Sequence, residues 1–222
     1  MSQLSLFSAD LTPPQVDDLG GLLAAHGQIS RSGWGTRLSI LLAQEWRAHA
    51  LLREFRVRGV EAELLPAAEA LAGGLVDGDP GSSDQSSDSG SDSDGRRLTG
   101  VLLRSARTSV LDELGVAWTR GAVKSVPPAL LAGAGLLRCW TLAAGSPDEA
   151  GFRLGLDRHA PDTYEALASS CAGAGLAGAL IGVRGGGPAL RIVGHRRHAR
   201  LVELLGTPPP EAPASAFPRA EH

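Results

Sequence analysis

The sequence predicts an α+β fold that consists of two copies of one α-β-β-α-β-β-α unit, with two antiparallel sheets forming a saddle. The first observation is an internal repeat, because residues 37–65 align without a gap with residues 153–181 at an offset of 116. The second is that helical and alternating hydrophobic patterns follow the same order in both halves. Chance agreement between leucine- and alanine-rich segments is the alternative explanation.

The aligned positions include residues with different structural roles. Arg37 aligns with Arg153, and Gly59, which closes a predicted helix, aligns with Gly175. Gly27 aligns with Gly145 at an offset of 118, so the connection that follows is two residues shorter in the second half. The constant offset between the aligned residues favours duplication of one ancestral unit.

The predicted elements follow from local patterns and their terminators. In the first half they are a helix over 15–26, a hairpin of strands 28–30 and 36–42, a helix over 43–59, strands 60–65 and 98–103, and a helix over 109–120. In the second half they are a helix over 134–144, a strand over 151–157, a helix over 161–173, strands 176–182 and 188–193, and a helix over 195–205. The repeated order requires one more strand between the helix over 134–144 and the strand over 151–157, and this first strand of the second half has the weakest pattern.

The composition divides the chain further. We expect a flexible tail over 1–14, a first half over 15–120, a connection over 121–133, a second half over 134–206, and a disordered Pro-rich tail over 207–222. A segment over 74–96 should be a disordered acidic loop, since its stretch from Gly74 to Gly95 holds six Asp, seven Ser and no Lys or Arg. The net charge is −3, but the rest of the chain has 21 basic against 18 acidic residues.

Several classes of protein are disfavoured. No apolar run reaches the roughly 18 residues of a membrane helix, and the N-terminus lacks the basic start of a signal peptide. Cys139 and Cys171 have no metal-ligand spacing. We therefore expect a cytoplasmic, monomeric protein without membrane contact, cofactor or metal.

Two short segments carry a family resemblance. Residues 19–27, "LGGLLAAHG", and residues 137–145, "LRCWTLAAG", open the two halves and resemble the LAGLIDADG motif. The duplicated order is similar to that of LAGLIDADG homing endonucleases and of the degenerate form in the N-terminal domain of bacterial WhiA-type regulators. The resemblance implies that the two motif helices pack together through small residues, here Gly21, Ala25, Cys139 and Ala143. Ordinary amphipathic core helices are the alternative.

The same resemblance bears on catalysis. Endonucleases of this family place a metal-binding carboxylate near the end of each motif helix, and the matching positions here are His26 and Ala144. Asp17 and Asp18 stand at the helix start, and Asp148 and Glu149 should lie in a loop. The sequence therefore predicts a protein that is not an enzyme; an active nuclease is the least favoured interpretation.

DNA binding does not require those acids. Strand alternation turns Arg37, Ser39, Arg153 and Arg191 outward, where the family contacts double-stranded DNA. Arginines near strand ends or turns are second candidates: Arg31, Arg104, Arg107, Arg158 and Arg184. A merely solvated sheet face is the alternative. We predict a non-catalytic DNA-binding protein, a regulator of transcription or associated with replication.

The N-terminus suggests a second function. "QLSLF", residues 3–7, resembles the pentapeptide that many bacterial proteins use to bind the DNA polymerase sliding clamp, with Gln3, Leu4, Leu6 and Phe7 as contacts. The alternative function is a protein-interaction module that is recruited to the clamp and has little DNA affinity. Folding of these apolar residues onto the chain's own core is the other interpretation of this segment.

Overall fold

The computed structural model describes residues 7–68, 100–149, 151–185 and 187–219. The first half contains α1 (Gly20–Ala24), β1 (Gln28–Ser32), β2 (Gly35–Leu42), α2 (Glu45–Val57), β3 (Ala62–Pro66), β4 (Val101–Ser105) and α3 (Asp112–Trp118). A short hairpin of β5 (Thr119–Arg120) and β6 (Val123–Lys124) follows. The second half contains α4 (Ala134–Ala144), β7 (Gly145–Asp148), β8 (Gly151–Gly155), α5 (Tyr164–Gly173), β9 (Ala179–Ile181), β10 (Ala189–Val193) and α6 (His195–Leu205). The predicted acidic loop lies outside the described residues.

The two halves contain equivalent antiparallel sheets. Their strand orders are β1-β2-β4-β3 and β7-β8-β10-β9, which correspond position by position. The pairing register is also equivalent, since Ser30 faces Arg37 in the first sheet and Ser146 faces Arg153 in the second, each shifted by 116 residues. The predicted duplicated α+β fold is therefore confirmed.

One face of each sheet packs on a shared hydrophobic core. In β2, Leu38, Ile40 and Leu42 are buried, and the intervening side chains are not. In the second sheet Leu154 and Leu190 are fully buried opposite one another. This alternation is what a sheet covered by helices on one face requires. We call the other face of each sheet its outer face.

The core also contains both motif helices. The first is shorter than predicted, because a 3₁₀ turn (Val16–Leu19) precedes α1 and the backbone leaves helical geometry at Ala25. Gly27 closes the turn by donating its amide hydrogen to the carbonyl of Leu22. The second motif helix, α4, has its predicted bounds. Among the described residues, no helix combines the length and apolar character needed to cross a membrane.

The chain ends depart from the expected loose tails. Ser8 is buried, the amide of Ala9 donates to the carbonyl of Leu204, and the carboxylate of Asp10 accepts two hydrogen bonds from Thr207. Residues 8–12 are thus attached to the end of α6, which corrects the expectation of flexibility there. These contacts join positions almost 200 residues apart, so no local pattern could reveal them.

The Pro-rich C-terminal segment is likewise packed over its described part. Phe217 is only 2% exposed and Ala212 is buried. Glu211 accepts two hydrogen bonds of 2.6 Å from the guanidinium of Arg53 on α2. The expectation of disorder from residue 207 is therefore wrong for residues 207–219, because hydrogen bonds of Thr207 and Glu211 and the burial of Ala212 and Phe217 together attach this segment.

Candidate nucleic-acid interface

Arg37 and Arg153 occupy equivalent places on the two outer faces. Arg37 pairs with Ser30 of the edge strand β1, and Arg153 pairs with Ser146 of the edge strand β7. Both arginines are half-buried, their aliphatic stems cover the sheet, and the Nε atom of each is buried. The repeat thus places two cationic groups in matching positions of the two sheets.

An acidic side chain accompanies the arginines of the second sheet. Asp148 ends β7, and its Oδ2 lies 2.5 Å from Nε of Arg191 and 3.9 Å from Nε of Arg153. The sequence predicted that Asp148 lies in a loop. It is instead the last residue of β7, the strand whose sequence pattern was the weakest. Asp148 therefore offsets part of the positive charge of these two arginines.

The outer face of the first sheet is less basic toward its far edge. Ser39 is half-buried and pairs across the sheet with Arg104, whose Nη2 lies 2.9 Å from the carboxylate of Glu63 on β3. The next outward row consists of leucines, including Leu41, which is 45% exposed, and Leu102. Positive charge on this face is thus concentrated at Arg37 and, in part, at Arg104.

The remaining candidate arginines lie elsewhere. Arg31 is on the core-facing side of β1, and its side chain runs across Gly115 of α3. Arg107 donates hydrogen bonds to Ser32 Oγ and to the carbonyl of Gly35 in the β1–β2 turn. Arg158 and Arg184 are exposed, in the turn after β8 and in the 3₁₀ turn before β10.

The motif helices meet as close backbone neighbours. A Cβ atom placed on Gly21 would come within 2.3 Å of the carbonyl oxygen of Leu136 and 2.9 Å of Cβ of Cys139. Ala25, Cys139 and Ala143 are all buried. Burial raises the pKa of the Cys139 thiol to about 12, so this thiol stays neutral at physiological pH. Small side chains at this crossing permit the approach.

The C-terminal ends of the motif helices border one cavity of about 450 Å³. His26, Ala143, Ala144 and Arg47 are among the residues that line it, and none of the lining residues is Asp or Glu. The Nε2–H of His26 donates to the carbonyl of Leu41 at 2.9 Å. Within the described ranges, no three His, Cys, Asp or Glu side chains form a group suited to hold a metal ion.

Arg47 is the buried cation at the end of α4. It reaches from α2 and donates to the carbonyls of Thr141, Leu142 and Gly145 at 2.9, 2.9 and 2.5 Å. These oxygens lie in the last turn of α4 or just after it, where the helix dipole favours positive charge, and that of Thr141 also accepts from the amide of Gly145. Burial lowers the pKa of Arg47 to about 10, and the group stays charged at neutral pH.

Lys124 performs the corresponding task for α1. Its Nζ donates to the carbonyl of Gly27 at 2.8 Å and lies 2.5 Å from Oδ2 of Asp157. Burial lowers the pKa of Lys124. Burial alone would raise the pKa of Asp157, but the hydrogen bond and the positive charge of Lys124 outweigh it and lower this pKa. One cation thus binds at the C-terminal end of each motif helix, and both contacts join the two halves.

Sequence reasoning missed both of these capping cations. Arg47 lies 94 residues from Thr141, and Lys124 lies 97 residues from Gly27, so neither contact has a local signal. Lys124 did stand out as the only lysine of the chain. A single lysine among twenty arginines was the available hint that its flexible ammonium group has a particular partner.

Comparison with known proteins supports the fold. No protein-family model and no curated protein matches the sequence. A solved structure of the homing endonuclease I-WcaI bound to its DNA recognition sequence is similar, with a TM-score of 0.58 and 14% identity over 88% of this chain and 81% of the other. The N-terminal LAGLIDADG domain of DUF199/WhiA has a TM-score of 0.52 and 13% identity over 87% of this chain and 81% of the other. The chain has a LAGLIDADG-like fold.

Proposed function

We propose that this chain, on its LAGLIDADG-like scaffold, binds double-stranded DNA through both outer faces without cleaving it, as a regulator of transcription or replication. The observation that carries the proposal is the equivalent placement of Arg37 and Arg153 on the two sheets. A duplex is an extended anion with regularly spaced phosphates, so matched guanidinium groups on both halves of one protein suit it. The similar homing endonuclease is itself bound to DNA.

Charge on the outer faces indicates modest affinity. Arg104 and Arg191 already have carboxylate partners in Glu63 and Asp148. DNA must either compete with these carboxylates or leave those arginines in place. Because the slope of log affinity against log salt concentration is about −0.9 per phosphate neutralised, we expect a salt dependence that corresponds to only a few phosphate contacts.

The absence of cleavage is inferred from the ends of the motif helices. Ala144 offers no ligand atom, and His26 uses Nε2 to hold the Leu41 carbonyl. Hydrolysis of a phosphodiester with magnesium needs several hard oxygen ligands. Arg47 also places a fixed positive charge beside the cavity, which disfavours a divalent cation there. We infer that duplex DNA bound at this surface stays intact.

The test combines two measurements on the full chain. Titration of random and genomic duplexes at several salt concentrations should give an affinity that falls linearly on logarithmic axes. Incubation of supercoiled plasmid with the protein and magnesium should leave it unnicked. Equal DNA mobility with and without protein at low salt would contradict DNA binding, and magnesium-dependent nicking by pure protein would contradict the loss of catalysis.

One observation favours the sliding clamp as a second partner. Residues from Ser8 onward are attached to the body, whereas Phe7 is 65% exposed immediately before this anchor, with the guanidinium of Arg200 5.8 Å from its ring. Gln3, Leu4 and Leu6 lie outside the described residues. A Leu6→Ala/Phe7→Ala variant should lose binding to purified clamp while keeping the melting temperature of the wild type. Equal clamp affinity of both proteins would refute this candidate.

A further inference from the structure

Trp34 is the most exposed of the large apolar side chains in the described ranges. It is 88% exposed, and it stands with Gly33 in the two-residue turn that joins β1 to β2. Tryptophan has a large apolar ring with one polar N–H group, and it is enriched at binding interfaces. Its exposed position at the tip of a hairpin makes it available for contact with another molecule.

The turn that carries Trp34 is held in one conformation. Ser32 Oγ accepts from the amide of Trp34 at 3.2 Å and donates to the carbonyl of Gly35 at 3.2 Å. Arg107 donates to the same hydroxyl and the same carbonyl, at 3.1 and 3.3 Å. Gly35 has φ +104, and a Cβ there would contact the backbone of Thr108. The indole is thus presented on a fixed support, which lowers the entropy lost when it binds.

The hairpin that carries Trp34 contains basic residues and no acidic ones. From Gly27 to Gln44 the chain has no Asp or Glu, and Arg37 is three residues further along β2, about 10 Å away at the usual rise of a strand. The equivalent turn of the second half differs in character, since it contains Asp148 and Glu149, and Ala150 aligns with Trp34. The first hairpin combines an aromatic tip with arginines and has no Asp or Glu of its own, and the carboxylate of Asp112 contacts it at Thr36, whose side chain is buried.

We propose that Trp34 is an anchor for DNA, which packs its indole ring against nucleobase and sugar surface at one end of the bound duplex. This inference rests on the proposed function. Contact of this kind with deoxyribose and the groove wall is tolerant of sequence, because every nucleotide has a sugar, whereas Arg37 supplies the phosphate contact beside it. Because the turn of the second hairpin is acidic, the two ends of the protein interact differently with DNA. The protein therefore binds the duplex in one preferred orientation.

Tryptophan fluorescence gives a direct test. Trp118 and Trp140 are buried and Trp46 is half-buried under the Arg47 guanidinium, so the emission accessible to acrylamide comes mainly from Trp34. Addition of a 30-base-pair duplex at low salt should shield this emission from acrylamide. A Trp34→Phe variant should lack the shielded component and keep most of the affinity, and Trp34→Ala should bind about tenfold more weakly. Leu131→Ala, at a 78% exposed site, is the matched control and should bind as the wild type does.

The possible outcomes separate the two proposals. If the wild type binds DNA with the expected salt dependence while acrylamide quenching and the affinity of Trp34→Ala are unchanged, Trp34 is not an anchor and the proposed function stands. If the wild type shows no DNA binding at low salt, both proposals fail. Equal melting temperatures of the wild type and the variants would show that the loss of affinity does not come from unfolding.

Discussion

The backbone of Gly21 in α1 lies against the backbone of Trp140 in α4, so closely that a Cβ on Gly21 would come within 2.5 Å of the Trp140 amide nitrogen. The same Cβ would be closer still to the carbonyl oxygen of Leu136. Neither of these backbone atoms can move away without displacing a helix. The contact between the two halves therefore depends on glycine at this position.

We accordingly predict that Gly21→Ala destabilises the protein by about 3 kcal/mol, the upper range for overpacking a filled core. Denaturation by urea measures the change. Gly173→Ala is the matched control, because a Cβ at that helical glycine meets nothing within 4 Å and alanine is the better helix former. Equal stability of the wild type and Gly21→Ala would show that the two halves are less closely packed than described.

Arg47 should be needed for stability rather than for DNA affinity. Replacing it by methionine keeps the apolar stem and removes the side-chain donor from three carbonyls at the end of α4, of which that of Thr141 keeps the Gly145 amide. We expect a loss of about 2–3 kcal/mol in the free energy of unfolding, since water in the adjoining cavity replaces only part of the hydrogen bonding. Arg56→Met, at an exposed site on the same helix, should change it by less than about 0.5 kcal/mol. Similar stabilities of the two variants would contradict the capping role.

The Lys124–Asp157 pair makes stability depend on pH. Because the folded-state pKa of Asp157 is lowered, the pair stabilises the protein above the unfolded pKa of about 3.9, and this stabilisation is lost as pH falls through the folded value. Lys124→Met leaves a buried carboxylate without its cation and should cost about 3 kcal/mol at pH 7. The difference from the wild type should shrink as pH falls, because Asp157 of the variant, buried without its cation, becomes neutral first, and the wild-type pair is lost at still lower pH.

A second substitution makes this prediction specific. Adding Asp157→Asn to Lys124→Met removes the unpaired charge, so the double variant should regain part of the lost stability at pH 7. Urea denaturation at pH 7, 5 and 3.5 measures all three proteins. If the double variant is no more stable than Lys124→Met at pH 7, the charge of Asp157 is not the cause.

The C-terminal segment should contribute to stability through Phe217. Since this ring is 2% exposed, Phe217→Ala is expected to lower the free energy of unfolding by about 3 kcal/mol or to release the segment locally. Limited proteolysis and urea denaturation distinguish the two effects, and either supports the packing. Leu131→Ala, which removes an exposed side chain, is the control. If Phe217→Ala resists protease and urea as well as the wild type does, Phe217 does not hold the segment, and the loose tail suggested by the composition would be correct.

Local patterns predicted the fold to a large extent. The bounds of α4 and α6 agree with the sequence because each has a helical hydrophobic period and a glycine just after it. Alternation likewise placed Arg37 and Arg153 outward. The short β7 escaped clear prediction because proline and glycine interrupt its pattern, and with it escaped the place of Asp148.

The parts of the site that sequence could not provide are long-range. Arg47 and Lys124 reach helix ends in another part of the chain, and Asp10 binds Thr207. Arg31 was a second candidate for the interface because it lies near a strand end or turn, yet the face on which it lies depends on pairing with Thr36, which is buried. A single sequence contains no signal for such pairings, since the groups meet only after the sheets form.

The central claim is that Arg37 and Arg153 contact phosphates of one duplex from the two sheets. The most direct measurement is the slope of log affinity against log salt concentration for the wild type, Arg37→Ala, Arg153→Ala and Arg56→Ala. Each interface substitution should weaken binding to all sequences and reduce the magnitude of the slope by about 1, whereas Arg56→Ala on α2 should leave it unchanged. Slopes that are the same for all four proteins would contradict the claim.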